Sequence, residues 1–128
     1  MEEKKSIYDY SKEFALEIIN LYKFLTQKST VKEYVMSKQI LRSGTSIGAN
    51  IHEAKRAQSK ADFAAKMNIA LKEASETEYW LDLLYKSEYI DESYFMSLNS
   101  SCISINNILS AIVKTTFDNI EKEKLKNN

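Results

Sequence analysis

Proline is absent and glycine occurs only twice in 128 residues. The chain therefore lacks the residues that make the tight turns of a sandwich, a barrel or a doubly wound sheet. Histidine and cysteine occur once each. One histidine cannot supply the paired Glu-x-x-His units of a di-iron bundle. His52 is followed by Glu53, but Arg56 stands where H-E-x-x-H zinc binding needs its second histidine. A lone Cys102 can form no intramolecular disulfide, which fits a reducing cytoplasm. No apolar run approaches the ~20 residues that span a bilayer, and no apolar stretch follows the first lysines as a secretory signal requires. No cofactor, metal or membrane contact is expected. Net charge is missing too. Eighteen basic and 18 acidic side chains cancel, which opposes strong unspecific attraction to polyanions.

What remains is helical pattern, in a length suited to one hydrophobic core. Four amphipathic segments are expected at about 7–27, 31–57, 60–87 and 92–121, forming one domain over 1–121, with 122–128 as a frayed polar tail. Their apolar seams step by three and four residues: Phe14, Ile18, Leu21 and Leu25; Ile40, Gly44, Ile47, Ile51 and Ala54; Phe63, Met67, Ala70, Ala74, Thr77, Leu81 and Leu84; Phe95, Leu98, Cys102, Ile105, Leu109, Ile112 and Thr116. A 3.5-residue mean spacing keeps a seam facing its partner in a four-helix bundle, and short connections make neighbouring helices antiparallel. In such a hairpin Phe63 meets Thr116, Met67 meets Ile112, Ala74 meets Ile105, Thr77 meets Cys102 and Leu84 meets Phe95, so the third and fourth seams mesh throughout. The expected fold is all-α, an up-down-up-down antiparallel four-helix bundle.

The stretch Ser43-Gly44-Thr45-Ser46-Ile47-Gly48-Ala49-Asn50 is poor helix sequence, with a propensity deficit of roughly 4 kcal/mol. The same register places Gly44 and Gly48 opposite Ala74 and Ala70, so that the second and third helices approach closely and recover dispersion contacts. Its hydroxyls have carbonyls four residues back, or Glu73 and Thr77 across the interface, to bond. The alternative, a phosphate-gripping loop, fits poorly: neither Gly-rich spacing matches, no strand precedes the stretch and no lysine follows the second glycine. Glu73 and Glu76 share a face but have no accompanying nucleophile. Hydrogen bonds to the hydroxyl stretch, Arg42 or Lys72 suit them better than acid-base work. His52 reads as a surface or interface residue and Cys102 as a small core residue.

The strings running from Gln39 through Arg42-Ser43-Gly44-Thr45-Ser46-Ile47-Gly48-Ala49-Asn50-Ile51, and Ala70-Leu71-Lys72-Glu73-Ala74 with Glu76-Thr77-Glu78-Tyr79-Trp80-Leu81, resemble the four-helix-bundle family of proteins encoded in 23S rRNA intervening sequences. That family is similar to the accessory proteins of diversity-generating retroelements. The resemblance implies a bundle that assembles into a ring, typically a homopentamer, with no known catalysis. From the retroelement relatives it implies a basic surface that binds nucleic acid and a reverse transcriptase. Two departures stand out: Ala54 replaces a usual glycine, and the net charge is zero where the retroelement proteins are basic.

The residues give their own reasons to expect association. Ile69, Tyr79, Trp80 and Leu83 on the third helix, and Ile103, Val113 and Phe117 on the fourth, lie outside the core seams and read as an oligomer interface, unless wide helices simply bury more of themselves. Residues 76–100 carry six acids against Lys86 alone, so the surplus of base lies elsewhere. The end that holds the termini and the second connection gathers Lys55, Arg56, Lys60 and Lys66, candidates for contact with RNA or DNA backbone. The blander reading is a solvated charged end. Two functions follow: a homo-oligomeric, non-catalytic accessory protein associated with nucleic acid, or a scaffold that binds a partner protein without it.

Overall fold

The computed structural model of the chain describes residues 4–127. Four helices form: α1 (Ile7–Lys23), which runs on into a single π-helical turn at Phe24–Lys28, α2 (Met36–Ala54), α3 (Lys60–Lys86) and α4 (Glu92–Lys126). Among the described residues there is no strand.

Local chemistry sets each start. Ser6 and Asp9 form a capping box, with Asp9 N–H donating to Ser6 Oγ at 3.4 Å and Ser6 N–H to Asp9 Oδ2 at 3.1 Å. Ser59 Oγ accepts from Asp62 N–H at 3.0 Å, and Asp91 Oδ1 from Tyr94 N–H at 2.8 Å. The second helix begins differently. It starts at Met36 and not at 31, because the buried Glu33 carboxylate folds back to accept from the N–H groups of Val35, Met36 and Ser37 at 3.2, 3.1 and 2.8 Å. Residues 31–35 are thereby a connection. The helix also ends at Ala54, short of 57, where N–H groups bond three residues back and tighten the last turn. At the end of α3, Glu88 takes a left-handed φ of 69°. Its N–H reaches Tyr85 O and that of Tyr89 reaches Leu84 O, a Schellman closure without glycine. The last helix continues past 121 to Lys126, so 122–126 is helical and not a frayed tail; Lys60 of α3 pairs with Glu123 there. The ends of the expected 1–121 and 122–128 segments at 1–3 and 128 lie outside the described residues.

Each helix packs against the next, and α4 returns to α1. Contacts run in opposite senses along neighbours: Lys66 meets Glu53 while Glu73 meets Arg42, and Tyr85 stacks on Phe95 while Lys60 meets Glu123. The bundle is therefore antiparallel at each of these pairs. Its core is the meeting of the four seams, with Ile18, Leu21, Ile40, Ile47, Met67, Ala70, Ala74, Leu81, Leu84 and Leu109 sealed from solvent.

The glycines serve a different neighbour from the one expected. A Cβ on Gly44 would stand 2.8 and 2.9 Å from Cγ1 and Cγ2 of Ile18, and one on Gly48 would first meet Ser11 Oγ at 3.4 Å. Their bare faces thus admit α1, while Ala70 and Ala74 line the α3 side of the core. Contact between α2 and α3 at this level is polar: Thr77 Oγ1 lies 2.9 Å from Ser43 Oγ, both fully buried. The other hydroxyls bond within the helix, Thr45 to Leu41 O at 2.7 Å and Ser46 to Arg42 O at 2.6 Å.

The two glycines should consequently differ under substitution. Gly44→Ala forces a methyl against a β-branched, fully buried side chain, so overpacking of ~1–3 kcal/mol outweighs the ~1 kcal/mol gain in helix propensity. Urea denaturation should show lower stability for Gly44→Ala and a gain of about 0.5–1 kcal/mol for Gly48→Ala, whose methyl finds ordinary contact distance. Equal effects at both positions would contradict this placement.

Candidate interaction surfaces

The outward side of α2 and α3 carries one connected polar and aromatic cluster. Arg42, a residue before buried Ser43, reaches across to Glu73 at 3.1 Å and also to Glu76. Glu76 accepts the Trp80 indole N–H at 3.0 Å, and Tyr79 meets Trp80 edge-on with centroids 5.3 Å apart. The Trp80 N–H, followed by Arg42, holds the Glu76 carboxyl below its usual range, and donating to that carboxylate raises Arg42 in turn. Both carboxylates are thereby tied to a guanidinium, the arrangement expected for Glu73 and Glu76 in place of acid-base chemistry.

The apolar residues proposed for an interface separate in space. Tyr79 is 57% exposed and Ile69 41%, while Trp80 and Leu83 beside them are half-buried. On α4, Ile103 and Phe117 are exposed, but Val113 is a core residue at 8%. It lies on the seam after Leu109, so the expectation that it faces outward is corrected. Unforeseen is the exposure of Val31, Tyr34 and Val35, which the Glu33 cap turns out of helical register.

Among the basic candidates, most are engaged within the molecule. Lys60 pairs with Glu123, Lys66 with Glu53 at 3.3 Å, and the Lys55 ammonium sits 4.1 Å over the Tyr8 ring. Arg56 has no ion-pair partner among the described residues. The Lys60 pairing escapes the sequence pattern because Glu123, 63 residues on, lies beyond the expected end of the fourth helix at 121. His52 is exposed and lines a shallow cleft between α1 and α2. Cys102 donates to Ala74 O at 3.4 Å, and burial pushes its thiol up to about 12, so it is a core residue with no thiolate at neutral pH. Among the described residues no group of three His, Cys, Asp or Glu side chains could hold a metal ion, and no helix is long and apolar enough to cross a membrane.

The model of the 23S rRNA-intervening sequence protein family matches residues 3–111. The chain belongs to that family. Among solved structures, this family member is similar to a protein of unknown function from the S23 ribosomal protein family of Bacteroides thetaiotaomicron, with 59% identity and a TM-score of 0.82 over 85% of this chain and 99% of that one. No curated protein matches it.

The lowered Glu76 carboxyl has a pH consequence. Because its folded value lies below its unfolded one, its contribution to stability is present above the unfolded value, about 4.3 for glutamate, and is lost as pH falls through the folded value. Glu76→Gln should therefore lower the melting temperature at pH 7, with the difference from wild type closing below about pH 4. Emission of Trp80, the single tryptophan, should change in the same variant. An unchanged melting temperature with unchanged emission would contradict the tie.

Proposed function

We propose that this 23S rRNA-intervening sequence family protein is a non-catalytic subunit that self-associates through the outer faces of α3 and α4 into a closed ring, a pentamer by family resemblance. As an assembly in the cytoplasm it acts as an accessory protein on structured RNA. The observation that carries the reading is the exposure of Ile69, Tyr79, Ile103 and Phe117 on helices that already have complete core seams; apolar ridges of this kind are the anchors of subunit contacts. The family's association with an rRNA intervening sequence makes RNA the first partner to test. Lys55, Arg56, Lys60 and Lys66 lie near one end of the bundle, and a ring with parallel subunits repeats that end around one rim.

A second reading, a scaffold for a partner protein without nucleic acid, is favoured by the pairing of Lys60 with Glu123 and Lys66 with Glu53, which spends two of the four cations internally.

Filter binding of structured RNA across a salt series separates the two. The accessory reading expects log K to fall linearly with log salt, and expects Lys55→Ala with Arg56→Ala to reduce that slope by about 1 per phosphate contact removed. Protein free of nucleic acid on purification that binds no RNA even at low salt would sink it in favour of the scaffold.

A further inference from the structure

A groove between α1 and α4 has no part in the surfaces above. Its volume is about 410 Å³. Buried Phe14 and Ile105 lie among its lining, with Ile108 beside them, and Glu17 stands on its α1 side. Glu13, which lines the groove as well, is held by Lys5 at 2.9 Å, whereas Glu17 has no ion-pair partner among the described residues. Burial, then the Glu13 charge, pushes the Glu17 carboxyl up. The lining is mixed, with Tyr10 and Ile108 beside Ser100, Ser101 and Ser104 over a buried Phe14 and Ile105 floor, and such a groove with an uncompensated carboxylate on one wall is complementary to an amphipathic ridge that carries a positive charge.

The molecule possesses such a ridge. Ile69, Lys72 and Tyr79 fall on one outward stripe of α3, three and seven residues apart, as the helical period requires. Lys72 is exposed and makes no ion pair among the described residues. Since α3 packs between α2 and α4, its outer stripe lies away from the α1 and α4 groove. One chain cannot bring the two together. Each copy instead presents both halves of one contact.

We propose that the groove between α1 and α4 receives the outer α3 ridge of a second copy, with Ile69 and Tyr79 in the trench and Lys72 against Glu17. This is helix-in-groove docking. It rests on the self-association reading and pairs the α3 ridge of that reading with the groove on the α1 side of α4. Because ridge and groove are different faces, the contact is heterologous and closes into a ring when the rotation between copies allows. The opposite charges fix where along the groove the ridge sits, since reversing either one sets like charges together at the contact.

The test is sedimentation of the full chain over a concentration series for the wild type, Glu17→Lys, Lys72→Glu, the double exchange and Ser104→Trp, with helicity checked by circular dichroism. Ser104 is an exposed groove-lining residue, so an indole there fills the trench and spares the core. Each single charge reversal should weaken association about tenfold, the scale of one charge pair at ~1.4 kcal/mol. The double exchange should restore it, and Ser104→Trp should yield folded monomer. An oligomeric wild type whose association ignores all four variants, or single reversals that the double exchange does not rescue, overturns the docking mode and leaves self-association standing. A wild type that is monomeric at high concentration overturns both.

Discussion

The second helix is where the structure is most constrained, and the constraint is contact on two sides at one level. Gly44 lets α1 approach until Ile18 fills the space a side chain would take. The preceding residue, Ser43, meets Thr77 of α3 through buried hydroxyls. A segment with two glycines, three hydroxyl residues and an asparagine would not hold a helix in isolation. It holds one here because dispersion on the α1 side and fully satisfied hydroxyls on the α3 side offset the propensity deficit. The same hydroxyls, bonded to carbonyls one turn back, leave few polar groups unmet in the core.

That fixed level also positions the outer surface. Arg42 precedes Ser43 in the chain, so anchoring Ser43 against Thr77 leaves the guanidinium aimed at the adjacent turns of α3. There it gathers Glu73 and Glu76, and Glu76 in turn holds the indole of Trp80 with Tyr79 beside it. Core packing and surface presentation are thus coupled through two consecutive residues. The coupling explains why Trp80, on a largely charged exterior, is held in a defined orientation.

Much of this was legible from the seams. Three- and four-residue steps identified the four helices and meshed α3 with α4, because each apolar position there has a single facing partner. What escaped detection has particular causes. Val31, Tyr34 and Val35 continue an apolar pattern into α2, and only the fold reveals that the Glu33 carboxylate caps the helix start and interrupts it. Pairwise register compares two helices and so sets the glycines against α3, while Gly44 faces a third. Val113 follows Ile112 at the edge of the wheel, outside the seam of three- and four-residue steps, yet α4 turns it inward. The length of α4 and the neutralised cation at Lys60 share a reason: Lys60 and Glu123 lie at the far ends of α3 and α4 and meet only once α4 runs back the full length of α3. Exposed lysines in sequence are charges without addresses, and the groove between α1 and α4 has no sequence signature at all.

Native-state hydrogen exchange of the amides of residues 43–50 tests the central claim most directly. If contact on both sides holds this stretch, those amides exchange only through global unfolding, as slowly as amides in the buried part of α3. Exchange at rates typical of a frayed helix end, with the rest of the bundle still protected, would contradict it.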